Sequence, residues 1–227
     1  MSPPAALVWK AWLDVDRARL ARYRALLSSD ELSRAMRYRK DADRDRYVVR
    51  RAVLRIVLGR VLGIPQHLLR FGCGPSGKPY IDRPAAGRAL RSSVSHADGL
   101  AVFGWAFGRD VGVDVERVCV HPDLLAVAES CFSTREQAEL RTLPHTSQAR
   151  AFYRCWTRKE AYVKAIGSGL RASLRDFEVS LDTDKPASLL RVGWSESEPA
   201  RWRMEELDVP FGYIGAVVAE RPKGERV

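Results

Sequence analysis

The stretch Trp156-Thr-Arg-Lys159-Glu160-Ala-Tyr-Val-Lys164-Ala-Ile-Gly-Ser-Gly169-Leu170 decides how the rest of the chain is read. Helix formers run into a glycine-flanked stop, which predicts a helix over 149–166. Glu160 and Lys164 stand four residues apart and so share one helical face. Taken alone, that spacing describes an ordinary surface ion pair worth roughly 0.3 kcal/mol. Lys159 projects about 100° away from Glu160 and reads as structural or as a fringe contact. Trp156 reads as core. Upstream, Gly112-Val-Asp114-Val-Glu116 predicts a strand with two carboxylates two residues apart, hence on one face. Three carboxylates with a lysine beside them suggest a divalent cation holding a phosphorylated ligand.

With 227 residues, 46% of them hydrophobic and 29% charged, the composition is that of a water-soluble globular protein. No run approaches the roughly 18–20 apolar residues of a membrane span, and the N-terminus lacks the pattern of a secretion signal. Cys73, Cys119, Cys131 and Cys155 are widely separated and form no CxxC pair, which argues against a zinc site or disulfide scaffold and for a reducing, cytoplasmic setting. The net charge of +10 is lopsided. Residues 1–108 hold 20 Lys/Arg against 9 Asp/Glu, whereas residues 109–227 hold 18 against 19. Within residues 34–60 there are ten basic side chains and three acids. Such a field suits a polyanionic partner, or is the solvated side of an arginine-rich helix. Nucleic-acid binding would need stacking aromatics or a groove-reading motif beside the charge; only Tyr38 and Tyr47 qualify and no motif appears.

Acids at Asp30 and Glu31 predict a helix start, and 43–62 has the three- and four-residue apolar spacing of an amphipathic helix with one basic side. A turn-rich segment, Phe71-Gly-Cys-Gly-Pro-Ser-Gly77-Lys78-Pro79-Tyr80, follows. Strands are expected at 92–95, 100–107, 111–115, 177–181, 189–194, 202–207 and 213–219, and a helix over 132–140. Helices and antiparallel-looking strands are segregated, so the expected fold class is α+β. The apolar segments 99–107 and 212–220 echo one another. Two similar lobes, 1–108 and 109–227, would explain this. Ser133 and Glu136 have the spacing of a capping box.

Taken in order, Gly77-Lys78-Pro79, Ser93-Val-Ser95-His96, Gly112-Val-Asp114-Val-Glu116, Phe132-Ser133-x-x-Glu136 and Trp156-x-x-Lys159-Glu160-Ala-x-x-Lys164 resemble the 4′-phosphopantetheinyl transferases. The match is to the longer, monomeric, two-lobed Sfp-like group. The resemblance implies two α+β lobes related by pseudo-two-fold symmetry, with the active site at their interface. It implies transfer of phosphopantetheine from coenzyme A to a serine of an apo acyl- or peptidyl-carrier protein, releasing 3′,5′-ADP. Asp114, Glu116 and Glu160 match the metal ligands for Mg²⁺, with Mn²⁺ as an alternative. Glu160 is also the candidate base and Lys164 a phosphate contact, which makes these two the catalytic candidates. Ser95 and His96, a polarised histidine, match contacts to the coenzyme A phosphates. Lys78 and Pro79 match the adenine-side loop, and Arg39, Arg44 and Arg46 lie where the 3′-phosphate is held. Two lysines of some relatives fall near Glu31 and Arg34 here, one lost and one replaced by arginine. The basic surface suits the acidic recognition helix of a carrier, with apolar residues between Phe132 and Leu143 as its hydrophobic contact. The long form suggests polyketide, non-ribosomal peptide or fatty-acid synthesis. Neither nucleic acid nor membrane is expected as a partner.

Overall fold

A computed structural model describes residues 6–73, 79–81, 90–167, 173–182, 185–222 and 224. Strand β1 (Leu7–Trp12) is followed by α1 (Arg17–Arg24), α2 (Ser29–Ala35) and α3 (Asp41–Leu62), then a short hairpin of β2 (Phe71–Cys73) and β3 (Pro79–Ile81). Next come β4 (Leu90–Ala97), β5 (Leu100–Phe107) and β6 (Val111–Arg117), then α4 (Leu124–Cys131), α5 (Thr134–Thr142) and α6 (His145–Ile166). The chain ends with β7 (Phe177–Val179), β8 (Leu189–Val192), α7 (Glu198–Arg201), β9 (Trp202–Glu206) and β10 (Tyr213–Glu220). The helices are grouped and every strand pairing is antiparallel, as expected for α+β.

Two three-stranded sheets organise the molecule, in the orders β1-β5-β4 and β6-β10-β9. Each sheet places its last strand between its first and its penultimate strand, so the two halves share one plan. Each sheet also has a 22-residue helix, α3 or α6, stopped by a glycine in the left-handed region: Gly63 at φ 64° and Gly167 at φ 67°. Only glycine enters that region without a Cβ penalty, so both stops are written in the sequence.

Strand β5 is buried on both faces, which explains its unbroken apolar run. Ala101, Phe103 and Trp105 pack with Val49, Val53, Leu54 and Leu58 of α3. Leu100, Val102 and Ala106 pack with Val111, Val113, Val115 and Val217 from the second sheet. On the far side of that sheet, Ala216 and Val218 pack with α6 residues Cys155, Ala161, Tyr162 and Ala165. Valines 111, 113 and 115 thus face the shared layer, and the alternation of β6 turns Gly112, Asp114 and Glu116 toward α6.

Strands β1, β2 and β3 and helices α1, α4 and α7 have no counterpart in the sequence reading, which takes 71–80 as a turn-rich segment. Six of the eight α1 residues are arginine or alanine and none is buried, so its apolar pattern is too sparse to see. Strand β1 is a sheet edge that exposes Leu7, Trp9 and Trp12, without the alternation of a half-buried strand.

Candidate active site

Gly112 sets the geometry. A Cβ there would collide with the Ala161 carbonyl oxygen and lie 2.5 Å from the Ala165 nitrogen, so α6 rests directly on the backbone of β6. Two residues further on the same strand, Asp114 is 2% exposed. Lys164 Nζ, on the overlying helix, donates to Asp114 Oδ1 at 2.6 Å and to Ser95 Oγ at 3.1 Å. Ser95 Oγ donates to the same Asp114 oxygen at 2.7 Å. Ser93, two residues earlier on β4, accepts from the Val113 nitrogen at 3.1 Å, so β4 is fixed beside β6 by its serines. Ser95, Asp114 and Lys164 therefore come from three elements spanning both halves of the chain.

Asp114 Oδ2 is buried and has no hydrogen-bond partner among the described residues. Burial pushes the Asp114 carboxyl up, against the pull of Lys164 and Ser95. Glu116 is pushed up to about 7 by burial first, then by the charges of Asp114 and Glu160. Glu160 is also raised, by burial and then by Asp114. Among the described residues no three His, Cys, Asp or Glu side chains close into a finished metal cage. The donor chemistry nonetheless fits a hard divalent cation, because one buried carboxylate oxygen lacks a partner among the described residues and Lys164 offsets only part of the charge of three neighbouring carboxyls.

His96 points to the other side of β4. Arg50 Nη1 of α3 donates to His96 Nε2 at 2.8 Å, which leaves the ring proton on Nδ1. Burial, followed by the charges of Arg50, Lys164 and Arg46, pulls the His96 pKa down to about 4. Without a phosphate beside it the ring therefore favours the neutral form, whereas the sequence reading pairs a positively polarised histidine with phosphate. Arg46, Arg50, Tyr38 and His96 line a cavity of about 210 Å³.

Family models match in two blocks: "4′-phosphopantetheinyl transferase, N-terminal" over residues 10–104 and "4′-phosphopantetheinyl transferase superfamily" over residues 110–218. The chain is 36% identical over 212 residues to the 4′-phosphopantetheinyl transferase HetI of Nostoc sp., covering 93% of this chain and 86% of that one. The chain belongs to the 4′-phosphopantetheinyl transferases. It is also 28% identical to the 4′-phosphopantetheinyl transferase Sfp of Bacillus subtilis, over 88% of this chain and 85% of that one. Among solved structures, the holo-[acyl-carrier-protein] synthase of Neisseria meningitidis aligns with 50% of this chain and 98% of its own, at a TM-score of 0.40 and 18% identity.

In this transferase, Asp114, Glu116, Glu160 and Lys164 gather around the β6–α6 contact, with Ser95 beside them. Lys164 is paired with Asp114 across the fold, and not with Glu160 as helical spacing suggested. Arg46 reaches the His96 cavity, but its guanidinium is held by Asp14 at 2.7 and 2.9 Å. Arg44 pairs with Asp41 at 2.9 Å and does not line that cavity; neither does Arg39, which lies between α2 and α3. Lys78 lies outside the described residues, and Pro79 opens β3. Arg50, which lines the cavity, was hidden in the sequence among ten basic residues. Its signal was the four-residue step from Arg46, which puts both on one face of α3.

Three further sequence readings resolve as packing. Lys159 is 0% exposed, pairs with Glu136 at 2.8 Å, and donates to the carbonyls of Leu174 and Phe177. Ser133 and Glu136 form the expected capping box, and Glu136 also accepts from the Val179 nitrogen. Glu31, standing where some relatives have lysine, is buried and binds Arg51 and Arg55, whose guanidinium groups cover the Phe71 ring. Of the apolar residues between Phe132 and Leu143 where a carrier contact is expected, Ala138 is exposed and Leu143 half-buried. Phe132 and Leu140 are wholly buried in the core packed against α6. An apolar groove of about 290 Å³ also lies beside Glu116, lined by Leu124, Val127, Phe152, Tyr153 and Trp156. No helix among the described residues is long and apolar enough to cross a membrane.

Proposed function

We propose that Asp114, Glu116 and Glu160 hold a magnesium ion (Mn²⁺ in its place under some conditions) against the pyrophosphate of coenzyme A while a carrier-protein serine takes up phosphopantetheine. The observation that carries this is the buried, unpartnered Oδ2 of Asp114, beside a lysine and two carboxylates whose pKa values are raised. A bound divalent cation would bridge phosphate oxygens and offset the charge that develops on the leaving group.

The serine oxygen attacks the β-phosphorus, the bond to the bridging oxygen of 3′,5′-ADP breaks, and the serine proton must be accepted. Glu160 takes that proton, directly or through water; its raised pKa makes it a stronger base than an ordinary carboxylate. Lys164, partly exposed and already against Asp114, steadies the departing phosphate. Ser95 orients Asp114 and Lys164 together. His96 serves the phosphates as a neutral Nδ1–H donor, and Lys78 with Pro79 lies on the adenine side by family resemblance. The groove beside Glu116 leads from this centre along a half-buried stripe of α6, Tyr153, Trp156, Glu160 and Lys164, and suits the apolar side of an incoming carrier.

The shared plan of the two sheets supports lobes at 1–108 and 109–227 with pseudo-two-fold symmetry and the site between them, working as a monomer in the cytoplasm. The carriers are those of polyketide, non-ribosomal peptide or fatty-acid synthesis, recognised through an acidic helix. The test is incubation of apo carriers of both kinds with coenzyme A and Mg²⁺, read by mass spectrometry. A phosphopantetheine adduct is expected, and no adduct on any carrier of the panel would overturn the reading.

A further inference from the structure

Strands β4 and β6 are edges of their sheets, in the orders β1-β5-β4 and β6-β10-β9, and no backbone ladder joins them among the described residues. Between neighbouring strands a ladder ordinarily fixes the register. Here side chains have to fix it, because a slip of one residue would carry Ser95 about 3.3 Å along Asp114. Two ion pairs cross the seam between the halves, Arg117–Asp98 at 2.9 Å and Lys10–Asp208 at 3.1 Å. Both are exposed, and exposed pairs of long side chains hold a register poorly.

Val113 crosses the seam twice, in the interior. Its N–H, on the free edge of β6, donates to Ser93 Oγ at 3.1 Å. Its side chain fills the space over Gly104 of β5, where an added Cβ would lie 2.5 Å from Val113 Cγ1. Ser93 and Gly104 are register partners across β4 and β5, so the hydroxyl and the missing side chain stand next to each other and form one notch. Val113 and Ser93 are both buried, so a Val113 N–H deprived of the serine oxygen would be left unpaired. The chemistry begins one step from the notch: Ser95, two residues after Ser93, donates to Asp114, the residue after Val113.

We propose that Ser93 and Gly104 are positioning residues for phosphopantetheine transfer. By seating Val113 they set the register of the two halves, and so hold Ser95 Oγ and the Lys164 ammonium on one oxygen of Asp114 while the other stays clear of both. Neither residue needs to touch the substrate. The inference rests on the transfer chemistry read above and names what aligns the half that carries Ser95 with the half that carries Asp114.

The experiment measures kcat at saturating coenzyme A, Mg²⁺ and apo carrier for the wild type and four variants: Ser93→Ala, Ser93→Thr, Gly104→Ala, and Gly104→Ala combined with Val113→Ala. A urea titration of each gives the folded fraction. In folded Ser93→Ala, kcat is expected to fall about 10- to 100-fold, and Ser93→Thr, which keeps the oxygen, should restore most of it. Gly104→Ala should lose a similar factor, and shortening Val113 in the combined variant should recover it. Amide exchange followed by NMR, with no substrate, metal or carrier present, gives an independent reading: the Val113 N–H should exchange faster in Ser93→Ala and return toward the wild-type rate in Ser93→Thr. A less stable Ser93→Ala protein that keeps the wild-type kcat when folded overturns the proposal, as does an unchanged Val113 exchange rate. Where Ser93→Ala does not fold, the two Gly104 variants decide, and no recovery in the combined variant overturns it. Absence of transfer by the wild type is the failure of the transferase reading; a wild type that transfers no faster than Ser93→Ala is the failure of this one.

Discussion

Lys164 Nζ lies 2.6 Å from Asp114 Oδ1, fifty positions away in sequence, and leaves Asp114 Oδ2 buried without a partner among the described residues. One carboxylate thus faces an ammonium on one side and an open valence on the other. Replacement of Asp114 by asparagine keeps its shape and removes its charge. Transfer to a carrier should fall at least about 100-fold, with the folded state retained. Steady-state transfer rates and a urea titration on the same variant separate the two effects; full activity in Asp114→Asn would remove it from the site.

Gly112 makes a second prediction, on the fold. Because its missing side chain is what allows Ala161 to touch β6, Gly112→Ala forces α6 outward along with Glu160 and Lys164. A loss of at least about 3 kcal/mol in unfolding free energy is expected, together with reduced transfer. By contrast, Gly108 at φ 65° has open space beside it, so Gly108→Ala meets only backbone strain, about 1 kcal/mol. Equal costs at the two positions would contradict the close approach of α6.

Lys159 and Glu136 form a wholly buried ion pair. Lys159→Met leaves Glu136 charged and unpaired and should cost about 3–5 kcal/mol. Enzyme that remains folded should keep its KM for coenzyme A, since Lys159 among the described residues meets protein carbonyls, Glu136 and the rings of Phe132 and Phe177. A raised KM in the folded fraction would place Lys159 at the phosphates after all.

His96 carries a pH signature. Its folded pKa of about 4 lies below the usual 6.5, so between these values the unfolded chain binds the proton and the folded one does not. The stability contributed by this group is complete above pH 6.5 and is lost as pH falls toward 4. An NMR titration of the ring should show no protonation at pH 6, and His96→Gln should flatten that part of the stability profile. Ring protonation near pH 6.5 would contradict the packing against Arg50.

Glu116, raised to about 7, behaves in the opposite sense. Its contribution is complete below the usual 4.5 and is lost as pH rises through about 7. Mg²⁺ bound at this cluster should therefore release protons at pH 7, since ligation favours the carboxylate. Calorimetry in buffers of different ionisation enthalpy measures that release, and Glu116→Gln should diminish it.

The chemistry-bearing residues of the second half were readable as a linear pattern because local rules set them out. Spacing by two on a strand put Asp114 and Glu116 on one face, and spacing by four on a helix aligned Glu160 with Lys164. The glycine stop at Gly167 and the Ser133–Glu136 capping box were equally local. What these residues touch was not local. The same four-residue spacing that suggested a Glu160–Lys164 pair gave way to a Lys164–Asp114 pair, because α6 settles on Gly112 and brings the ammonium over β6.

In the first half the balance reversed. Length, composition, the lopsided charge and the amphipathic α3 followed from the sequence alone, but ten basic residues within 34–60 look alike on paper. Ion pairing distributed them: Glu31 took Arg51 and Arg55, Asp14 took Arg46, and Arg50 was left facing His96. Side-chain type and periodicity determine secondary structure and the kind of chemistry available. Only tertiary packing decides which charges are neutralised, which are buried without a partner, and therefore which remain for a ligand.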